Sequence, residues 1–330
     1  MKTSVVVRAN ANIALIKYWG KRDEALLLPT KSSLSVTLDG LVTETRIAFY
    51  DGESDSVRLD GDVLSGEKAK KITQFLDLFR KQFSVSRRFM IFSSNSFPTA
   101  AGLASSASGF AALAYGLDKL CETGLDDRGL SILARQGSGS ASRSLFGGFA
   151  VWHKGVLADG SDSFGEQLFG ESHWSEFRLL VVLLTQEEKS VSSRDAMRCS
   201  QATSPSYGEW VKVSEQRIPA MQRAIGARDF ETVGVLAEED CLGMHQTMHD
   251  SIPSTNYWLP ASVAVMDAVR TLRDEGFSCY FTMDAGANVK ILCLDSVAEL
   301  VREQIAEIEG VQGIISCGVG GAPKVSEEML

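Results

Sequence analysis

Residues 93–113 read SSNSFPTAAGLASSASGFAAL. Pro98 stops a preceding strand, Gly102 opens backbone torsions that other residues resist, and the alanines keep side chains out of the way. A helix predicted over about 104–121 would present its first unpaired N–H groups, and the positive end of its dipole, to whatever lies before it. Ser105, Ser106 and Ser108 add hydroxyls at that end. The stretch is thus either a cradle for phosphate or the small-residue start of a helix packed closely on a sheet. It is neither the GxxxxGKS loop nor GxGxxG, so the motif alone leaves both readings open.

Outward from this stretch the pattern is α+β. Toward the N-terminus, TSVVVRA, SLSVTLDG, VTETRIAFY and SVRLDG read as strands of a meandering sheet, with the Asp-Gly pairs 39–40, 51–52 and 60–61 predicting tight turns between them. A helix is expected over 67–85, with Ile72, Phe75, Leu76, Leu78 and Phe79 on one side, then the strand RFMIFSS. A further helix is expected over 127–136. In the second half RLLVVLLT reads as a buried strand, 208–226, 229–248 and 258–276 as successive helices, and SCYFTM and NVKILCL as strands flanking an Asp-Ala-Gly turn. The polar loop at 158–167 marks a boundary near the middle of the chain.

The 330 residues are 44% hydrophobic and 23% charged, which excludes disorder. A net charge of −9 disfavours a general nucleic-acid or anionic-membrane surface, yet leaves room for a basic pocket. The longest strongly apolar run, Leu179–Leu184, is far short of a bilayer span. The six cysteines have no CxxC pair and read as reduced thiols of a cytoplasmic protein.

Other concentrations of chemistry accompany the opening motif. GSGSASRS (137–144) surrounds Arg143 with donors, and an arginine grips a carboxylate or phosphate through two parallel N–H bonds. NIALIKYWGKRD (12–23) carries Lys17, Tyr18, Lys21 and Arg22. KSVSSRDAM (189–197) reads as a third such turn, with Ser192, Ser193 and Arg194. MDAGANVK sets Asp284 in a turn between two apolar strands, where a carboxylate needs a reason to sit. Taken singly, each turn is equally a plain solvated loop; together they are the parts needed to hold two polyphosphates and move a proton. His245 and His249 have the i, i+4 spacing of a zinc pair, but Gln246 stands where the metalloprotease motif needs glutamate. GVGGAP (318–323) lacks the context of a dinucleotide fingerprint, and Cys279 and Cys293 read as core thiols.

From about residue 8 to 295, NIALIKYWGKRDEALLLPTKSSLSVTL, FPTAAGLASSASGFAAL, GSGSASRSLFGG and MDAGANVK together resemble the mevalonate diphosphate decarboxylase branch of the GHMP small-molecule kinase superfamily. The resemblance implies an α+β GHMP-kinase fold: a nucleotide-binding lobe like ribosomal protein S5 domain 2 over 1–175, a ferredoxin-like lobe over 176–330, and a cleft between them. It implies ATP and Mg2+ as cofactors, mevalonate 5-diphosphate as substrate, and a cytoplasmic homodimer with no nucleic-acid or membrane partner. Asn95, Ala101, Gly102, Leu103, Ala104, Ser105 and Ser106 would bind the nucleotide, with Ser106 near its Mg2+. Asp284, Arg143 and Lys17 would be catalytic. Tyr18, Lys21, Ser138, Ser140, Ser193 and Arg194 would complete the substrate site with Arg143. Ser142 and Ala287 depart from the family's usual Cys and Pro beside these residues. A kinase of mevalonate or its phosphate, a decarboxylase of the monophosphate, and a silent nucleotide-binding protein are the alternatives.

Overall fold

The computed structural model describes residues 3–97, 105–187 and 189–326. In chain order the elements are β1 (Ser4–Ile16), β2 (Lys21–Asp23), β3 (Leu28–Pro29), β4 (Ser33–Tyr50), β5 (Ser56–Leu59), β6 (Asp62–Val63), α1 (Gly66–Phe83), β7 (Arg88–Asn95), α2 (Ser105–Cys121), α3 (Asp127–Gly137), β8 (Phe149–Trp152), β9 (Gly165–Phe169) and β10 (Phe177–Leu183). They continue with α4 (Ser193–Thr203), α5 (Tyr207–Ala227), α6 (Phe230–His249), α7 (Pro260–Asp274), β11 (Cys279–Met283), β12 (Val289–Leu294), α8 (Asp295–Ala306), β13 (Gly313–Cys317) and β14 (Lys324–Val325).

Two sheets organise the chain. The larger runs β14-β1-β4-β7-β5-β6, with β8 on β4 and β9 on β8; the smaller runs β11-β12-β10-β13. Antiparallel pairing dominates, as expected for the α+β class, although β5 joins β7 in parallel. The large sheet exists because β1 and β4 alternate apolar residues toward α2. That helix answers with Ala107, Ala111, Ala112, Ala114 and Gly116, all buried. A Cβ on Gly116 would stand 2.5 Å from Ile47 Cδ1, so close sheet packing demands the small residues there. α1 lays Phe75, Leu76 and Phe79 on the same core, with Ile72 and Leu78 at its edge, as the spacing predicts. Each such fully buried side chain contributes about 1.5–3 kcal/mol.

Several sequence expectations change. Asp39-Gly40 is not a turn between separate strands: both residues lie within β4, where the register with β1 skips residues 38–41 and the segment is held by a Leu38–Val319 bridge and by Asp39, which accepts from the Gly318 amide at 2.7 Å. Asp60-Gly61 is the expected hairpin turn, both residues at positive φ between β5 and β6. The 158–167 loop marks no boundary, since it closes the β8–β9 hairpin inside the large sheet. KSVSSRDAM is not a turn throughout: Ser193 opens α4, whose N-cap Ser192 accepts from the Asp195 amide at 3.1 Å while Ala196, Met197 and Ser200 turn inward. The last strand, β14, returns to pair with β1. Among the described residues no helix is long and apolar enough to cross a membrane.

Candidate active site

The end of β1 delivers the first functional side chains. Val5 to Ile16 supply the large sheet's core, and the chain then leaves the strand at Lys17. The Lys17 amide donates to Asp240 Oδ2 on α6 at 2.7 Å, and its carbonyl accepts from the buried Lys31 ammonium. Lys17 Nζ, in a side chain 1% exposed, reaches Asp284 Oδ1 at 3.0 Å. Asp284 follows β11 in the turn before β12, with its side chain 30% exposed. Lys290, on β12 and 1% exposed, stands 3.6 Å from Asp284 Oδ2. Burial alone would push this carboxyl up, but Lys17 and then Lys290 outweigh it and hold it well below the usual carboxylate range. Asp284 is therefore ionised at any physiological pH.

Arg143 ends the 3₁₀ turn after α3 and is 2% exposed. Its Nε donates to Ser35 Oγ at 3.0 Å, its Nη2 to Asn12 Oδ1 at 3.2 Å, and its Nη1 to Ser33 Oγ. All three partners are neutral, so no hydrogen-bonded carboxylate takes up the guanidinium's charge. Burial pushes it down to about 10, with Asp284 and Tyr18 pulling it back up. Asn12 also donates to Ser140 O at 3.0 Å and Ser144 Oγ at 2.7 Å, tying β1 to this turn. Gly139 is required there: a Cβ would lie 2.7 Å from Trp152 and 3.0 Å from Tyr18. Ser138 Oγ lies 3.3 Å from Ser106 Oγ at the start of α2 and 3.4 Å from Ser140 Oγ. Ser108 instead turns to the sheet, 2.6 Å from Thr43 Oγ1.

Asn12, Lys17, Ser106, Ser138, Ser140, Arg143 and Asp284 line one cleft of about 600 Å³. Among the described residues its walls carry Lys17, Lys21, Lys68, Lys71, Arg143, Lys189 and Arg194 against one carboxylate, Asp284, which is the basic pocket an acidic chain can hide. Tyr18, Ser105, Ser106, Ser138, Ser140 and Ser193 line it as well, so the structure brings together fifteen-odd polar groups from both sheets and the helices between. Ser193 and Arg194 occupy the first turn of α4, where N–H groups and dipole favour an anion. Burial pushes the Tyr18 hydroxyl above the usual tyrosine range, with Glu24 adding to it. Lys21 is 2.6 Å from Glu24 Oε2.

Two expectations fall elsewhere. Arg22 points out of the cleft to the carbonyls of Lys154 and Leu157. Asn95 accepts from Thr43 Oγ1 at 2.6 Å and lines a second cavity of about 740 Å³, next to Arg8, Glu44 and Lys324. Ala101, Gly102, Leu103 and Ala104 lie outside the described residues. His245 is buried, its Nδ1 accepting from Trp258 Nε1 at 3.0 Å, and burial pulls it down to about 3. Among the described residues no cluster of three or more His, Cys, Asp or Glu side chains fits a metal ion. Ser142 donates to Gly139 O at 2.7 Å and Ala287 O accepts from Ser262 at 2.7 Å, so both departures from the family pattern are held in place.

Sequence reading missed Lys71, Lys189, Asn12 and Lys290. The last had a signal: a lysine inside the apolar strand NVKILCL needs a partner as much as Asp284 does. Burial lowers Lys71 and Lys189 to about 8, Lys71 helped by Arg194 and Lys21, Lys189 by Lys290. Both are cations below that pH and shed their protons above it. Affinity for a polyanion is therefore expected to fall as pH rises through about 8. Calorimetric titration with inorganic pyrophosphate on either side of that pH checks it, and equal affinity on both sides contradicts it.

Residues 9–165 match the family described as diphosphomevalonate decarboxylase-like N-terminal domain, and residues 179–311 the mevalonate 5-diphosphate decarboxylase C-terminal domain. The human diphosphomevalonate decarboxylase is 40% identical over 318 residues, covering 90% of this chain and 79% of its own. The crystal structure of mevalonate diphosphate decarboxylase from Staphylococcus aureus superposes with a TM-score of 0.93 at 38% identity, covering 99% of each chain. A solved structure of MDDEF in complex with MVAPP, AMPPCP and magnesium superposes at 0.91 with 40% identity, again over 99% of each.

Proposed function

This chain belongs to the diphosphomevalonate decarboxylase family, and from that membership we propose how its cleft carries the family's reaction. The reaction is the ATP-dependent decarboxylation of (R)-5-diphosphomevalonate to isopentenyl diphosphate, with release of ADP, phosphate and CO2, in the mevalonate pathway. ATP and Mg2+ are its cofactors. The observation that carries the residue-level reading is the ionised Asp284 clamped between Lys17 and Lys290 in a cleft otherwise lined by cations.

A tertiary 3-hydroxy acid loses CO2 slowly because hydroxide is a poor leaving group. Phosphoryl transfer forms a bond from the C3 oxygen to the γ-phosphorus and breaks the bond to ADP. The C3–O bond then breaks as phosphate leaves, the C1–C2 electrons become the new double bond, and CO2 departs. Transfer of this kind asks mainly for alignment and neutralised charge. Asp284 accepts the hydrogen bond of the C3 hydroxyl and aims its oxygen. A carboxylate held so acidic is a weak base, so the hydroxyl proton passes to Asp284 only as the O–P bond forms and makes that proton acidic. Lys17 stands beside the reacting groups.

Arg143 positions the substrate carboxylate. Its neutral partners leave charge for that purpose, and a looser grip suits a group that loses its charge as CO2 departs. Tyr18, Lys21, Ser138, Ser140, Ser193 and Arg194 hold the diphosphate. Ser105 and Ser106, on the cleft wall, face the nucleotide phosphates. The donor set fits Mg2+ brought in on phosphate oxygens, since among the described residues Asp284 is the one carboxylate on the cleft wall and Ser106 supplies a hydroxyl. Bound there, Mg2+ neutralises phosphate charge.

We read the two sheets as lobes divided at 175/176, with β14 the exception that recrosses to the first. Cytoplasmic residence is supported by six unpaired cysteines, and the homodimer rests on family resemblance alone. Sedimentation velocity of the purified chain tests the dimer. The function is tested by incubating the chain with Mg-ATP and each of mevalonate, its 5-phosphate and its 5-diphosphate. CO2 and ADP in equal amounts from the diphosphate are expected. ADP without CO2 would make the chain a kinase, and faster CO2 from the monophosphate would change the substrate.

A further inference from the structure

Lys290 has no path to solvent and does not line the cleft, yet it carries a charge into the strand next to the site. β12 is buried from Val289 through Cys293, with Lys290 opposite Thr282 on β11 and Val181 on β10. Its ammonium donates to Asn288 O at 3.1 Å and stands 3.6 Å from Asp284 Oδ2. Among the described residues Asp284 is its one ion-pair partner, already engaged through Oδ1 by Lys17 at 3.0 Å. Taking an ammonium out of water is costly, and an apolar side chain of similar volume at such a place is often neutral or stabilising. Two buried cations for one carboxylate is more than pairing requires.

We propose that Lys290 is a positioning residue for the decarboxylase reaction: tethering Oδ2 from within the sheet while Lys17 tethers Oδ1, it fixes the plane in which Asp284 meets the substrate hydroxyl. The inference rests on the reading of Asp284 given above. Tethers from β1 and β12 hold the two oxygens from different sheets, so the carboxylate cannot turn about its Cβ–Cγ bond without breaking one of them. The same ammonium helps hold Asp284 in its charged form.

The groups facing this pair are Lys17 from β1, Arg143 from the turn after α3, Lys189 from the segment before α4, and Cys241 and His245 from α6. Burial keeps the Cys241 thiol protonated, at about 11, and His245 neutral, at about 3. Lys189 titrates at about 8. Asp284, held well below the usual carboxylate range, titrates no higher than His245 in the wild type, so an acid limb that rises past that of His245 when Lys290 is replaced reports Asp284.

Lys290→Met and Lys290→Arg test the proposal beside wild type and Asp284→Ala. Lys290→Met should fold with an unchanged or higher Tm, lose about tenfold to a hundredfold in kcat as the carboxylate swings free, and keep KM for diphosphomevalonate and ATP within about threefold. Its acid limb should move to higher pH, and Lys290→Arg should recover part of the rate. Wild-type kcat and an unmoved acid limb in Lys290→Met overturn the proposal. So does a loss that tracks a lower Tm with the acid limb unmoved, which marks a merely structural lysine. Absence of CO2 from the wild type in the same assay would overturn the decarboxylase reading instead.

Discussion

Asp284→Ala should abolish coupled CO2 and ADP formation, by about 10²–10⁴-fold, while leaving ATP binding largely intact. Among the described residues Asp284 is the one carboxylate on the cleft wall, and it stands between two cations. Asp284→Asn keeps the shape and one oxygen but loses the charge, so it should fall nearly as far. Both substitutions leave Lys17 and Lys290 as buried cations without a counter-charge, which is destabilising. The pH dependence separates the two effects. A carboxyl depressed in the folded state contributes stability that is fully present above its unfolded pKa of about 3.9 and lost as pH falls through the folded value. The stability gap between wild type and Asp284→Ala should therefore be widest near neutrality and close in strong acid. Retention of more than about a tenth of wild-type turnover would contradict the assigned role. ATP affinity from equilibrium dialysis distinguishes lost chemistry from lost folding.

Arg143→Lys should raise KM for diphosphomevalonate about tenfold to a hundredfold, with a smaller fall in kcat. A hydrogen bond to a charged group contributes about 1.5–3 kcal/mol, and each 1.4 kcal/mol is tenfold in affinity. Lysine keeps the charge but loses the fork that Asn12, Ser33 and Ser35 hold rigid, so the carboxylate is bound without being aimed. KM for ATP should change little. An unchanged KM for diphosphomevalonate would assign the carboxylate to another cation, with Lys17 next in line. Because Arg143 is buried, thermal unfolding must accompany the kinetics, and steady-state constants are compared only for protein that melts cooperatively.

The helices α5, α6 and α7 were legible to within a residue or two, since apolar spacing at 3.6 residues is a local property. α4 was not, because SVSSRDAM has too few apolar residues to show a period, and what makes it helical is the Ser192 cap and burial of Ala196 and Met197. Asp39-Gly40 misled for the converse reason: the turn chemistry is local, but contacts from the distant Gly318 and Val319 hold the segment within β4. In the site, Lys17, Tyr18, Lys21, Arg143, Ser193, Arg194 and Asp284 stood out as polar residues in turns, and all seven line one cleft. Lys290 hid within a strand, and Lys71 on the flank of α1 looked like any solvated lysine.

The opening stretch shows where the division lies. Ala107, Ala111 and Ala112 share a core with Val7 and Ile47, against which Gly116 farther along the helix packs, so the bland reading of a closely packed helix is true of α2, while Ser105 and Ser106 at its start face the cleft. Sequence alone determined the α+β class, the turns that carry charge, and the family, because residue type and short spacing are written along the chain. Tertiary structure alone decided that Asp284 is ionised, that Arg143 is held by neutral hydrogen-bond partners, and that Lys290 reaches the site. Those properties depend on burial and on distances of a few ångströms, for Lys17–Asp284 and Asn12–Arg143 between residues more than a hundred positions apart, and Coulomb energy in a poorly hydrated cleft is governed by both.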